Sequence, residues 1–163
     1  MKSIGITEYV SIGRNYQNIP AKIDTGSDSS TIWASSIRVC RDGTLKFSLF
    51  DKGSKHYTGK VFKRKDFGVA KIKSSNGSTQ MRYRTHLKIK VADHTINTLF
   101  YLADRSTQKF PILIGRRTIR GKFLVDVTKF SIRLQRPKRV GHNERLRKNP
   151  YQFHKLHKKE LSL

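Results

Sequence analysis

Ala21-Lys22-Ile23-Asp24-Thr25-Gly26-Ser27-Asp28-Ser29-Ser30-Thr31-Ile32-Trp33-Ala34 is the stretch whose reading decides the fold. Ile19 to Ile23 reads as a short strand that runs into a carboxylate, a hydroxyl and a glycine, and Thr31 to Ala34 reads as a second strand. The glycine allows a sharp turn and the close approach of another chain. Asp24 is thereby held at a loop tip on a β scaffold, where reactive groups are usefully placed. Far downstream, Phe110-Pro111-Ile112-Leu113-Ile114-Gly115-Arg116-Arg117 is an apolar run that ends in a glycine and two arginines.

The first stretch resembles the Asp-Thr-Gly active-site loop of aspartic proteases. The second resembles the apolar-apolar-Gly-Arg segment that lies beneath that loop in the retropepsin family. Both occur in the family's order, and the resemblance extends over roughly residues 4 to 130. The local pattern is similar to bacterial retropepsin-like proteins often labelled ATP-dependent zinc proteases, matched by Gly115-Arg116-Arg117, by Gly121-Lys-Phe-Leu-Val-Asp126 and by Lys73-Ser-Ser-Asn-Gly77. That group usually has a basic residue where Asp28 stands, so Asp28 looks more like the retroviral pattern. The resemblance implies a catalytic set of Asp24, Thr25 and Gly26, with Ile114, Gly115 and Arg116 as structural support. It also implies that Asp28 touches Arg116, 88 residues away.

A chain of 163 residues is long enough for one independently packed domain. A two-lobed enzyme with both loops on one chain would need about twice that length. Asp-Thr-Gly occurs once and Asp-Ser-Gly not at all, so a paired-carboxylate site has to be assembled from two chains, and a homodimer is expected. The lone Cys40 provides no disulfide framework, which favours a reducing, cytoplasmic setting. No apolar run of about 7–15 residues lies in Met1 to Pro20, and none anywhere approaches the ~20 of a membrane span, so neither a signal peptide nor a membrane partner is expected.

The net charge is +24, with 35 Lys and Arg against 11 Asp and Glu. Ten basic and two acidic residues from position 131 onward supply +8 of it, so the excess is not confined to a tail. Such a field attracts nucleic acid, anionic lipid or acidic polypeptide.

Taken in order, Ile4 to Ile12 reads as a strand broken by Gly13-Arg14-Asn15, and a loop is expected after Ala34. Leu45, Phe47 and Leu49 alternate as a half-buried strand does. Asp51-Lys-Gly-Ser reads as a turn, with Tyr57 to Phe67 returning as a strand. Lys63-Arg64-Lys65 reads as a solvated basic face. Asn76-Gly77 between β-favouring residues signals a hairpin, because both turn positions tolerate positive φ. Its place before Gly115 resembles that of the retropepsin flap, and the resemblance implies substrate binding by Ser74, Ser75, Asn76, Gly77 and Ser78 there and by Ser27 and Asp28 in the Asp24 loop. Leu87, Ile89 and Val91 share one face of the next strand and His86, Lys88 and Lys90 the other. Ile96 to Leu102 and Phe110 to Gly115 follow as strands, then a helical turn at Ile119 to Lys122, then strands at Phe123 to Val127 and Phe130 to Leu134. The fold class is all-β: a small closed β-barrel of retropepsin type, single-lobed, with one short helix, over residues 1–135. Residues 136–163 form a basic tail, either disordered or helical on a polyanion, with Arg139, Arg145, Arg147, Lys148, Lys155, Lys158 and Lys159 as candidate nucleic-acid contacts.

The chemistry these residues support is acid–base hydrolysis of a peptide or protein substrate by two Asp24 carboxylates that share a proton. Ser27 is expected to donate to that carboxylate pair, and Thr25 to bond across to the partner chain. No cofactor and no metal are expected: there is no His-Glu-x-x-His, no Gly-x-x-x-x-Gly-Lys-Ser/Thr, and the six histidines are scattered. The alternative function is a non-catalytic nucleic-acid- or peptide-binding protein on the same barrel.

Overall fold

Alternation of apolar and polar residues drives a strand ring in the computed structural model, which describes residues 1–73, 77–135 and 141–161. The strands are β1 (Lys2–Ile4), β2 (Thr7–Ile12), β3 (Tyr16–Asp24), β4 (Ser30–Val39), β5 (Leu45–Leu49), β6 (Val61–Arg64), β7 (Gly68–Lys73), β8 (Thr79–Val91), β9 (His94–Ala103), β10 (Ile112–Gly115) and β11 (Phe123–Val125). A short helix, α1 (Arg116–Ile119), follows β10 directly. Six strands close on themselves in the order β10-β3-β2-β8-β9-β4, because β4 also pairs with β10 through Ile112↔Ile32 and Leu113↔Thr31. Closure removes the open edges that would otherwise template aggregation. Most pairings are antiparallel, while β3–β10, β4–β9 and β1–β11 run parallel.

Inside the ring, Val10, Ile19, Ile32, Leu87, Ile89, Ile112 and Ile114 are fully buried. Each such aliphatic side chain contributes roughly 1.5–3 kcal/mol on leaving water. The barrel excludes the alternate residues of the same strands, so His86, Lys88 and Lys90 of β8 are exposed.

Several boundaries differ from those the sequence predicts, the short helix among them, which begins at Arg116 directly after β10 and ends at Ile119 where the sequence places its start. The expected loop after Ala34 is instead more of β4, which runs to Val39 and pairs with β5 from Ala34↔Leu49 to Val39↔Leu45. The serines that read as loop residues sit at a register shift between Ser35 and Arg38, with Ser36 at φ +52°, so an irregularity bends the strand without ending it. The returning strand is only Val61–Arg64, since Ser54 to Tyr57 form a hydrogen-bonded turn and Gly59 takes φ +75°. Ile4 and Val10 fall on separate strands, β1 and β2. Phe130 to Leu134 is no strand: Ser131 N–H bonds Thr7 carbonyl oxygen at 3.0 Å, and the Thr7 hydroxyl accepts from Ile132 N–H (2.9 Å) and donates to its carbonyl (2.8 Å). A buried side-chain hydroxyl there takes the place of a ladder.

The segment between β4 and β7 builds an aromatic layer on β4–β5–β6. Phe47 stacks on Phe62 at 5.3 Å, and Phe50 meets Trp33 at 6.1 Å and Tyr16 at 5.9 Å.

Two compact units make up the chain, Met1–Arg133 and Leu134–Leu163. The second holds α2 (His142–Lys148) and α3 (Pro150–His157). Asn149 caps α3 by accepting Gln152 N–H at 3.0 Å, and proline stands in its first turn. His142, Phe153 and His157 pack ring against ring within this unit.

Candidate active site

Asp24 ends β3, where parallel pairing sets it opposite Gly115 of β10. Its Oδ1 accepts Gly26 N–H at 3.1 Å, and its carbonyl accepts Ser27 N–H at 3.2 Å. The carboxylate is half-buried, and Thr25 and Gly26 beyond it are exposed. An acidic group, its supporting amide and two small residues therefore form an open tip on a rigid strand end.

Beneath the tip, the loop backbone rests on β10 and α1. A Cβ on Gly115 would stand 2.4 Å from the Ser29 carbonyl oxygen and 2.8 Å from the Asp28 carbonyl carbon. Only glycine admits backbone that close. Arg116 N–H donates to Ser27 carbonyl at 2.8 Å and Arg117 N–H to Asp28 carbonyl at 3.1 Å. Loop carbonyls thus satisfy amides at the start of α1 that a helix leaves unpaired. Gly115 N–H donates to Ser30 Oγ at 3.0 Å, Ser30 Oγ pairs with Thr118 Oγ1 at 2.7 Å, and Thr118 with Thr98 at 2.8 Å. Ser30 and Thr118 are buried. This chain of hydroxyls locks loop, helix and barrel wall together. Sequence reading missed it, since isolated Ser and Thr carry no spacing signal.

Asp28 and Arg116 meet: Nε and Nη2 of the arginine both donate to Oδ1 of the carboxylate, at 3.1 and 2.6 Å. One oxygen takes both bonds, and the side chains are 57 % and 56 % exposed, so the pair is a surface clasp. Ser27 departs from the expectation. Its hydroxyl donates to Ser29 carbonyl at 3.1 Å, because the tight loop turns Ser27 back along its own chain and away from the Asp24 carboxylate.

Arg105 is a neighbour that sequence reading passed over. Its Nε donates to Phe110 carbonyl at 2.9 Å, and the partly buried guanidinium feels the charges of both Arg82 and Asp24. Burial, then the charge of Arg82, press Arg105 below the ordinary arginine value, and the Asp24 carboxylate opposes them. The only signal was an arginine five residues before Phe110.

Of the expected substrate-binding residues, Ser27 and Asp28 lie in this loop. Gly77 (φ +84°) and Ser78 are exposed at the β7–β8 hairpin, whose register runs from Gly68↔Arg84 to Lys73↔Thr79. Ser74, Ser75 and Asn76 lie outside the described residues, as does Arg139. Ile114, Gly115 and Arg116 sit directly under the Asp24 loop. Arg145, Arg147, Lys148, Lys155, Lys158 and Lys159 are exposed in the second unit. No helix among the described residues is long and apolar enough to cross a membrane.

The model of the RimB-like family, described as retropepsin-like aspartic endopeptidase RimB, matches residues 3–136. The chain belongs to this family. Its RimB-like portion covers the barrel and both stretches that carried the resemblance, while α2 and α3 fall outside the match. A probable alpha-L-glutamate ligase of Shewanella halifaxensis (strain HAW-EB4) is 29 % identical over 111 residues, 66 % of this chain. The chain spans only 24 % of that relative's length. Among solved structures, Lpg0085, a protein of unknown function from Legionella pneumophila subsp. pneumophila str. Philadelphia 1, superposes with a TM-score of 0.62 at 23 % identity. The match covers 79 % of this chain and 95 % of that one, and establishes a shared fold.

Proposed function

We propose that this RimB-like chain is an aspartic endopeptidase whose active form is a homodimer with Asp24 of each copy at the two-fold axis. The observation that carries the reading is the half-site geometry: one carboxylate, supported by Gly26 N–H, on an open tip braced by Gly115. A retropepsin mechanism needs a second, identical carboxylate, and the chain has one Asp-Thr-Gly. Two such carboxylates at close range cannot both ionise, so they share one proton. The ionised member takes a proton from a bound water. The protonated member hydrogen-bonds the scissile carbonyl and stabilises the tetrahedral intermediate. Thr25, exposed beside the tip, bonds across to the partner copy, Gly26 admits the substrate backbone, and the β7–β8 hairpin closes over it.

Acidic peptides are the proposed substrate class. Support comes from the net charge of +24, from Arg105, whose charge interacts with that of Asp24, and from the relative named as a glutamate ligase. A cytoplasmic setting belongs to the same proposal. The test is cleavage of glutamate-rich and neutral peptide libraries by the wild-type chain and by Asp24→Asn, with sedimentation of both. Cleavage that disappears in Asp24→Asn while dimerisation persists supports the reading. Undiminished cleavage by Asp24→Asn refutes it. A folded chain that stays monomeric at high concentration with a peptide inhibitor refutes the dimer. Polyanion binding with no cleavage by the wild-type protein would favour the non-catalytic alternative.

A further inference from the structure

A cavity of about 410 Å³ opens at the far end of β3 from Asp24. Tyr16 starts β3 and Asp24 ends it, so the cavity lies about 26 Å along the strand from the catalytic tip. Its walls come from the β2–β3 turn (Arg14, Asn15), from β6 with the residue before it (Lys60, Phe62, Arg64) and from β8 (Lys88). Four cations line it and no carboxylate does. None of the four is ion-paired with a carboxylate among the described residues.

The wall that carries these charges is built rigidly. Phe47 stacks on Phe62 at 5.3 Å, Tyr16 packs against Phe62 at 6.0 Å, and Tyr16 Oη bonds Thr58 Oγ1 at 2.7 Å. Lys60 and Arg64 flank Phe62 on alternate positions and stand over its ring at 5.4 and 5.5 Å. Ring contact of this kind holds a cation in place without neutralising it. Arg14 and Lys88 face solvent on the opposite walls.

We propose that this cavity binds the phosphodiester backbone of a single-stranded nucleic acid. Unpaired cations around an aromatic, concave wall are the composition with which proteins hold single strands. Its volume falls in the range of pockets that enclose small ligands, about 300–1,000 Å³. A nucleotide fills such a hollow, whereas a duplex cannot enter it. Distance from Asp24 leaves the catalytic tip free, so a strand held here would anchor the protein while the tip works elsewhere. An acidic peptide is the competing occupant, which competition with oligoglutamate distinguishes; the rings behind the cations are packed on one another and under Lys60 and Arg64 and serve as scaffold.

The experiment measures fluorescence anisotropy of fluorescein-labelled oligouridylate and oligothymidylate, each about 12 nucleotides long, within the span of single-strand sites. Salt is titrated from about 50 to 200 mM with the full chain. The variant Arg14→Gln/Lys60→Gln/Arg64→Gln is compared with Arg41→Gln/Lys52→Gln/Lys55→Gln, which removes equal charge from exposed positions off the cavity. Loss of three phosphate contacts flattens the log–log salt slope by about 2, since each contributes about 0.7 on a single strand. Both polymers are expected to respond alike, because phosphate is what is read. Equal losses in the two triple variants, or none in the cavity variant, would overturn the proposal. Displacement of the oligonucleotide by oligoglutamate at equal charge concentration would also overturn it, in favour of an acidic-peptide dock. Thermal melts confirm folding, and Arg14→Gln/Lys88→Gln, on exposed side chains, provides the same comparison should the triple variant unfold.

Discussion

Gly115→Ala places a methyl group where the structure has loop backbone. The new Cβ would lie 2.4 Å from the Ser29 carbonyl oxygen and 2.6 Å from its carbon, and both are main-chain atoms that no rotamer change can move. Restoring ordinary contact requires the loop to retreat by about 1 Å. That retreat stretches three hydrogen bonds at once: Gly115 N–H to Ser30 Oγ, Arg116 N–H to Ser27 carbonyl and Arg117 N–H to Asp28 carbonyl. Overpacking costs about 1–3 kcal/mol, and each weakened bond adds up to about 1 kcal/mol. The expected loss is therefore about 1–6 kcal/mol, against the roughly 5–15 kcal/mol that holds a domain folded. Urea unfolding followed through the single tryptophan, Trp33, measures it, since Trp33 is buried against Phe50. Where the variant stays folded, the proposed peptide cleavage should fall by up to about 100-fold, the loss that a 1 Å misplacement of a reacting group can cause. Gly26→Ala is the comparison: a Cβ there meets only Asp24 Oδ1, at 3.4 Å, so the fold should be untouched. Equal midpoints for wild type and Gly115→Ala would show that the loop does not rest on β10 as described.

Arg116→Ala should cost the isolated chain only about 0.2–1 kcal/mol, because the clasp to Asp28 is more than half exposed; a loss above about 2 kcal/mol in urea unfolding would show the pair buried by a partner. Ser30→Ala should cost about 1–3 kcal/mol, since it strands Gly115 N–H and shortens the buried chain to Thr118; an unchanged unfolding midpoint would contradict this. Asp93 is held at about 2, chiefly by its hydrogen bond from Lys2 and then by His94. A carboxylate depressed in the folded state adds stability above its unfolded value of about 3.9, and that stability is lost as pH falls toward 2. The gap between wild type and Asp93→Asn should therefore close between about pH 5 and pH 2, and a pH-independent gap would rule out this linkage. His56 is also pressed below its ordinary value, by burial and then by Lys55, and its buried Nε2 has no hydrogen-bond partner among the described residues. Stability should fall as pH drops below about 6.5, and His56→Phe should remove that decline.

The sequence by itself determined the carboxylate loop, the late Gly-Arg and the barrel, because each is written in local pattern. Asp24, Thr25 and Gly26 follow an apolar strand pattern and match, in succession, the loop that the chain resembles. A strand with one buried face needs the period-two spacing of Leu87, Ile89 and Val91. The link between Asp28 and Arg116 was reachable only through family resemblance, as nothing in either residue names the other. Tertiary structure alone decided the rest. Whether Ser35 and Ser36 end a strand or bend it depends on β5 being available to pair beyond them. Whether Ser27 faces the carboxylate or its own chain depends on how tightly the loop closes over Gly115. Ser30, Thr118 and Thr98 join only when three separate segments reach register, and Arg105 is held to the Phe110 carbonyl only once its loop folds back on that strand. Those contacts cross many residues and are fixed by packing, which acts on the assembled chain and leaves no periodic trace in the sequence.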